Sequence, residues 1–130
     1  DGSLLLYLNG KQVAGDRRGQ PLDVANLHAR VARMRKLCEQ LAAAGLAARY
    51  EAAHARLAVA YLDTFYRRQE LRAAGKLAPL PPVSQHAADK SYLVTTTRLC
   101  EGLERTLDAY AKSDDPLKKR LFGIWSKTKE

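Results

Sequence analysis

The side chains of this 130-residue chain best suited to hold a metal or act as a nucleophile are His28, His54, His86, Cys38 and Cys100. A zinc site needs three or four such ligands meeting at one point. With Gly45 as the turn between the first two helices, His28 and His54 differ in height by about 12 Å at ~1.5 Å per residue, too far to share an ion. Cys38 lies near the level of His54, yet two ligands do not close a site. Cys38 and Cys100 are offset by ~9 Å on the same reckoning, beyond the ~7 Å Cα limit of a disulfide, so both are expected as reduced, buried thiols. No metal, cofactor or catalytic set is expected.

The carboxylates are sparse and stand beside bases in helix-surface pairs, Glu51 with Arg56, Asp63 with Arg67 and Glu101 with Arg105, a pattern of solvated faces. No Gly-x-Ser-x-Gly elbow and no phosphate-cradling loop occurs.

The bases carry more information. Lys and Arg number 22 against 14 acids, a formal charge of +8, which favours anionic partners without choosing among them. Arg17, Arg18, Arg30, Arg33, Arg35 and Lys36 fall close together, and Lys118, Lys119 and Arg120 follow in the last helix. Such residues would hold phosphates by charge, but no recognition helix, zinc finger or aromatic single-strand motif accompanies them.

These side chains must be positioned by helices. The composition, 46% apolar and 28% charged, is that of a globular domain, and no apolar run reaches the ~20 residues of a membrane span. The chain divides into an N-terminal arm, residues 1–22, and a helical domain, 23–130. In the arm Leu4 to Leu8, Asn9-Gly10 and Lys11 to Val13 read as a β-hairpin or extended segment. The chain begins at Asp1 and not Met, which leaves room for a preceding leader or domain. The compartment expected is the cytoplasm, with a periplasmic or secreted location left open, where the two thiols could oxidise.

The first helix is expected from Asp23 to Gly45, with Val24, Leu27, Val31, Met34, Cys38 and Leu41 on a heptad seam. The longest run without a breaker, Leu46 to Ala74, reads as the central helix. Leu46, Tyr50, Ala53, Leu57, Ala60, Tyr61, Thr64 and Leu71 form its main apolar stripe, and Ala58, Leu62, Phe65 and Tyr66 form a shorter one beside it. Its greater length should carry it past the first helix by roughly 10 Å. Gly75 to Val83, with three prolines, should lie across that end. A third helix follows from Ser84 to about Lys112, with a stripe of Tyr92, Thr96, Leu99, Leu103, Leu107 and Tyr110. Asp115-Pro116 opens a short fourth, placing Leu117, Leu121, Ile124 and Trp125 on one face.

The fold class expected is therefore all-α: an antiparallel bundle of three long helices and a short C-terminal one. The function expected is a non-enzymatic protein–protein interaction or assembly module, a homodimer among the possibilities, with Tyr61, Phe65, Tyr66 and Trp125 as anchors. The alternative is a nucleic-acid-binding accessory domain acting through Arg17, Arg18, Arg30, Arg33, Lys118, Lys119 and Arg120. A peripheral contact of the last helix with an anionic membrane ranks below both.

Overall fold

The computed structural model describes residues 24–77 and 81–129, and among these the chain is all-α. Four α-helices, α1 (Val24–Ala43), α2 (Tyr50–Ala73), α3 (Pro82–Ala109) and α4 (Pro116–Lys127), pack around one core, with a 3₁₀ turn at Tyr110–Lys112. The arm expected to form a hairpin lies outside the described residues. Within them, no helix is long and apolar enough to cross a membrane.

On α1 the buried positions are Leu27, Val31, Met34, Leu37 and Leu41. Leu37 widens the expected seam and Cys38, expected in it, lies at its edge, because a helix packed on two neighbours buries a broader stripe than a two-helix coiled coil. Gly45, at φ 75°, ends α1 in the left-handed region that suits glycine. The Gly45 amide donates to the Ala42 carbonyl at 3.1 Å and the Leu46 amide to Leu41 at 2.8 Å, the paired bonds of a Schellman motif. Leu46 is thus part of the α1 cap and α2 starts at Tyr50, four residues later than expected. Gly75, at φ 71°, closes α2 in the same manner, with Lys76 donating to Leu71 at 2.8 Å.

The larger correction concerns the rotation of α2. Its buried positions are Glu51, Ala52, Ala55, Ala58, Leu62 and Phe65. The shorter of its two stripes faces the core, and the longer one, Tyr50, Ala53, Leu57, Ala60 and Thr64, faces outward. Side chains that end at Cβ let α1 and α3 approach α2 closely, and three fully buried alanines make this face the tighter packing surface. The overhang is also shorter than expected, since α1 has 20 residues and α2 has 24, and Tyr66 still lies beside His28 of α1.

Helix α3 begins at Pro82 and not Ser84, because a proline at the first helical position loses no hydrogen bond. Its core side chains are Leu93, Thr96, Cys100, Leu103 and Leu107. The β-branched run is satisfied internally: the Thr96 and Thr97 hydroxyls donate to the carbonyls of Tyr92 at 2.7 Å and Leu93 at 2.9 Å. Helix α4 closes the bundle with Leu121 and Trp125, as the amphipathic pattern implied.

One buried charge ties the ends together. Glu51 is 1% exposed, in the first turn of α2 where the helix dipole favours an anion. It accepts a hydrogen bond from Tyr110 Oη at 2.7 Å and from Arg49 Nε at 3.2 Å. Burial pushes its carboxyl up, but these bonds and a backbone amide outweigh burial and hold it below the ordinary carboxylate range. Burial, with the bond to Glu51, pushes the Tyr110 phenol up to about 12.

Gly45→Ala meets no steric obstacle but must adopt a positive φ, so it should destabilise the fold by about 1 kcal/mol. Gly123→Ala, in the middle of α4 with open space at its Cβ, should stabilise it by up to ~1 kcal/mol. Urea unfolding measures both. Tyr110→Phe should cost about 1–3 kcal/mol at neutral pH by leaving a buried carboxylate short of a donor. Glu51 contributes stability above its unfolded pKa and loses it as pH falls through the lower folded value. Tyr110 contributes below ~10 and loses stability as pH rises towards about 12. The gap between wild type and Tyr110→Phe should therefore narrow at both extremes in urea unfolding across pH.

Candidate functional site

The two large hydrophobic residues exposed among the described residues are Tyr50, at 67%, and Leu57, at 47%, and both lie on the outer stripe of α2. Ala53, Ala60 and Thr64 continue that stripe, all exposed. On its α3 side is an open depression of about 500 Å³ lined by Leu57, Ala60, Tyr61, Thr64, Ala88, Ser91 and Tyr92. Tyr61 and Tyr92 meet across it with ring centroids 6.0 Å apart. The surface exists because the alanine face of α2 is turned inward, which leaves the bulkier apolar stripe exposed among the described residues.

Of the anchors expected from the sequence, only Tyr61 belongs to this surface. Phe65 and Trp125 are corrections: at 8% and 1% exposure they are core residues and have no area to offer a partner. Tyr66 is half-buried, edge-on to Phe65 at 5.0 Å, with its hydroxyl 2.6 Å from His28 Nε2. Tyr50 and Leu57 are legible in the sequence as apolar and helically spaced, but that spacing predicts the interior for them.

Among the described residues, several of the basic side chains are engaged within the fold. Arg17 and Arg18 lie outside the described residues. Arg30 pairs with Glu104 at 3.4 Å. Arg33 lies flat on Trp125, its guanidinium carbon 3.2 Å from the ring centroid, while Nε donates to Thr128 Oγ1 at 2.6 Å and Nη2 to the Trp125 carbonyl at 3.0 Å. Lys118 sits 5.5 Å from the Tyr110 ring, and Arg120 donates to the Ala44 carbonyl at 3.0 Å. Lys119 is exposed. Arg30 and Arg33 are therefore both engaged by partners within the fold.

Among the described residues no three of His, Cys, Asp and Glu come together as a metal site would need. Glu51 and His54 have Glu-x-x-His spacing, but Glu51 is committed to Tyr110 and Arg49. His54 turns towards Gly102 of α3, close enough that a Cβ at that position would lie 3.8 Å from the imidazole Cε1, and packs edge-on against Tyr50. Cys38 instead borders the cleft of α1 with α2, near Arg35, Arg56 and Asp63. Burial raises both thiols, Cys100 to about 12, which disfavours the thiolate a nucleophile requires.

Comparison with family models, with curated proteins and with solved structures found no match. The chain's own geometry therefore carries the functional reading.

Arg33→Ala should loosen α4 rather than alter ligand binding. The expected cost is about 1–3 kcal/mol from the lost cation–π contact and hydrogen bonds, accompanied by a red shift of Trp125 emission in the native state.

Proposed function

We propose that this chain is a protein–protein interaction module whose binding surface is the outer stripe of α2 and the depression beside it. The observation that carries the reading is that the two large hydrophobics exposed among the described residues, Tyr50 and Leu57, fall on that one stripe, two helical turns apart. Scattered exposed apolar side chains are ordinary on a protein surface, whereas a continuous exposed apolar stripe is a mark of interaction surfaces. Tyr50 and Tyr61 are suited to such a role, because a phenol ring brings large contact area with few rotatable bonds.

The nucleic-acid reading retains the net charge of +8 and the Lys118 to Arg120 cluster. It is weakened by the engagement of Arg30 and Arg33 within the fold. A photo-crosslinking residue in place of Leu57, with one in place of Lys119 as the comparison, separates the two in living cells. Protein adducts from position 57 and none from 119 are expected. Nucleic-acid adducts from 119 with nothing from 57 would replace the proposal by its rival.

A further inference from the structure

The outer stripe of α2 has a period that the described helices do not use. Tyr50, Ala53, Leu57, Ala60, Thr64 and Arg67 recur at strictly alternating intervals of three and four, and all six are exposed. That is the seam of a coiled coil, and it lies opposite the buried Ala55 and Leu62. Along one flank, Arg49, Arg56, Asp63 and Glu70 recur every seven residues, two bases followed by two acids. A strip of that order, turned end over end, is its own complement.

We infer that the partner of this surface is a second copy of the chain, bound through an antiparallel, two-fold symmetric α2 pair. This rests on the interaction-module reading and names its partner. In the register that aligns the seams, Leu57 packs against Ala60 of the partner subunit and Ala53 against Thr64 of the partner subunit. Each large side chain at the centre meets a small one. At the ends Tyr50 receives Arg67 of the partner subunit, a cation over a ring. The same register places Arg56 beside the partner's Asp63 and Arg49 beside the partner's Glu70, and the symmetry repeats each pair.

The two central flank groups, Asp63 and Arg56, have intrachain contacts compatible with this, whereas Arg49 and Glu70 at the ends are already paired with Glu51 at 3.2 Å and Arg67 at 3.8 Å. Asp63 binds Arg35, and a carboxylate can accept from two guanidinium groups. Arg56 gives one N–H to the Ala47 carbonyl at 2.9 Å, leaving four of the five that a guanidinium carries. A parallel pair is disfavoured, because it sets Arg67 against the partner's Arg67 inside the seam. The opposite charges that a parallel pair brings together, Asp63 and Arg68 of the partner subunit, are unsuited, since Arg68 lies 5.6 Å from the Tyr92 ring of its own chain with Nε buried.

The test is charge exchange on the flank, read by sedimentation equilibrium of the full chain. Wild type should pass from one chain's mass to two as concentration rises. Arg56→Asp and Asp63→Arg should each dissociate about tenfold more readily, since each turns two attractions into two repulsions. An equimolar mixture of the two should recover the wild-type affinity, because every flank pair is then again opposite in charge. The substituted positions are exposed, and unchanged helicity by circular dichroism confirms that the variants fold. Arg56→Asp dimers as tight as wild type, or a mixture no tighter than its parts, would overturn the register. Wild type that stays one chain throughout would overturn the second copy as partner. In that event protein adducts from position 57 would still uphold the interaction module, and their absence would end both.

Discussion

Close approach at the alanine face of α2 is the contact on which the other helices depend. Ala52, Ala55 and Ala58 are wholly buried, so α1 and α3 pack against backbone and Cβ atoms rather than against long side chains. Short interaxial distances increase the number of dispersion contacts per turn and leave little tolerance for rotation of the helix. Once α2 is set in this phase, Leu62 and Phe65 point inward, and Tyr66 lies against His28 near the start of α1. The same phase sends Tyr50 and Leu57 outward. The exposed stripe is thus a geometric consequence of the packing, not an addition to it.

Polar groups then fix how the bundle ends. Glu51 joins the start of α2 to the 3₁₀ turn after α3 through Tyr110, and Arg72 joins the far end of α2 to Asp89 of α3 at 3.3 Å. These two ties lie at opposite ends of the α2–α3 pair and oppose sliding along the helix axes. Helix α4, with only 12 residues, could not stand alone and is held by Trp125. The indole N–H donates to Asp108 at 2.8 Å while Arg33 covers the ring, so the largest core side chain has its polar atom paired and its face shielded. Several of the arginines are thus structural, Arg33 over Trp125 and Arg72 with Asp89 among them.

Much of the architecture was legible because its signals are local. Gly45, Gly75 and the Asp115-Pro116 pair mark helix ends through backbone conformation, and each stands at or within two residues of an observed boundary. The α4 stripe was equally readable as one apolar face, with Leu121 inside. The rotation of α2 was not, since both of its stripes have helical spacing and hydrophobicity favours the one with leucine and tyrosine. Only the fit with two neighbouring helices selects the alanine stripe, and that fit is a tertiary property. The misplacement of Phe65 and Trp125 has the same origin: a large aromatic is equally apt to fill a core or anchor an interface, and the residue type alone does not decide.

The outer stripe is informative because the core of the four described helices does not include it. Replacing Leu57 or Thr64 by a charged helix former would leave the bundle core untouched and raise solubility, and for Thr64 it would also improve helix propensity. A central helix shaped only by the needs of its own fold would carry Lys, Glu or Gln along that face. Instead the face from Tyr50 to Thr64 keeps Tyr50 and Leu57 among small residues at heptad spacing, beside a flanking strip of charges ordered base, base, acid, acid. Both features make physical sense against an opposing helix surface: the small residues allow close approach, and the charge order fixes direction. The part of the sequence that contributes least to the monomer core is therefore the part that says most about association.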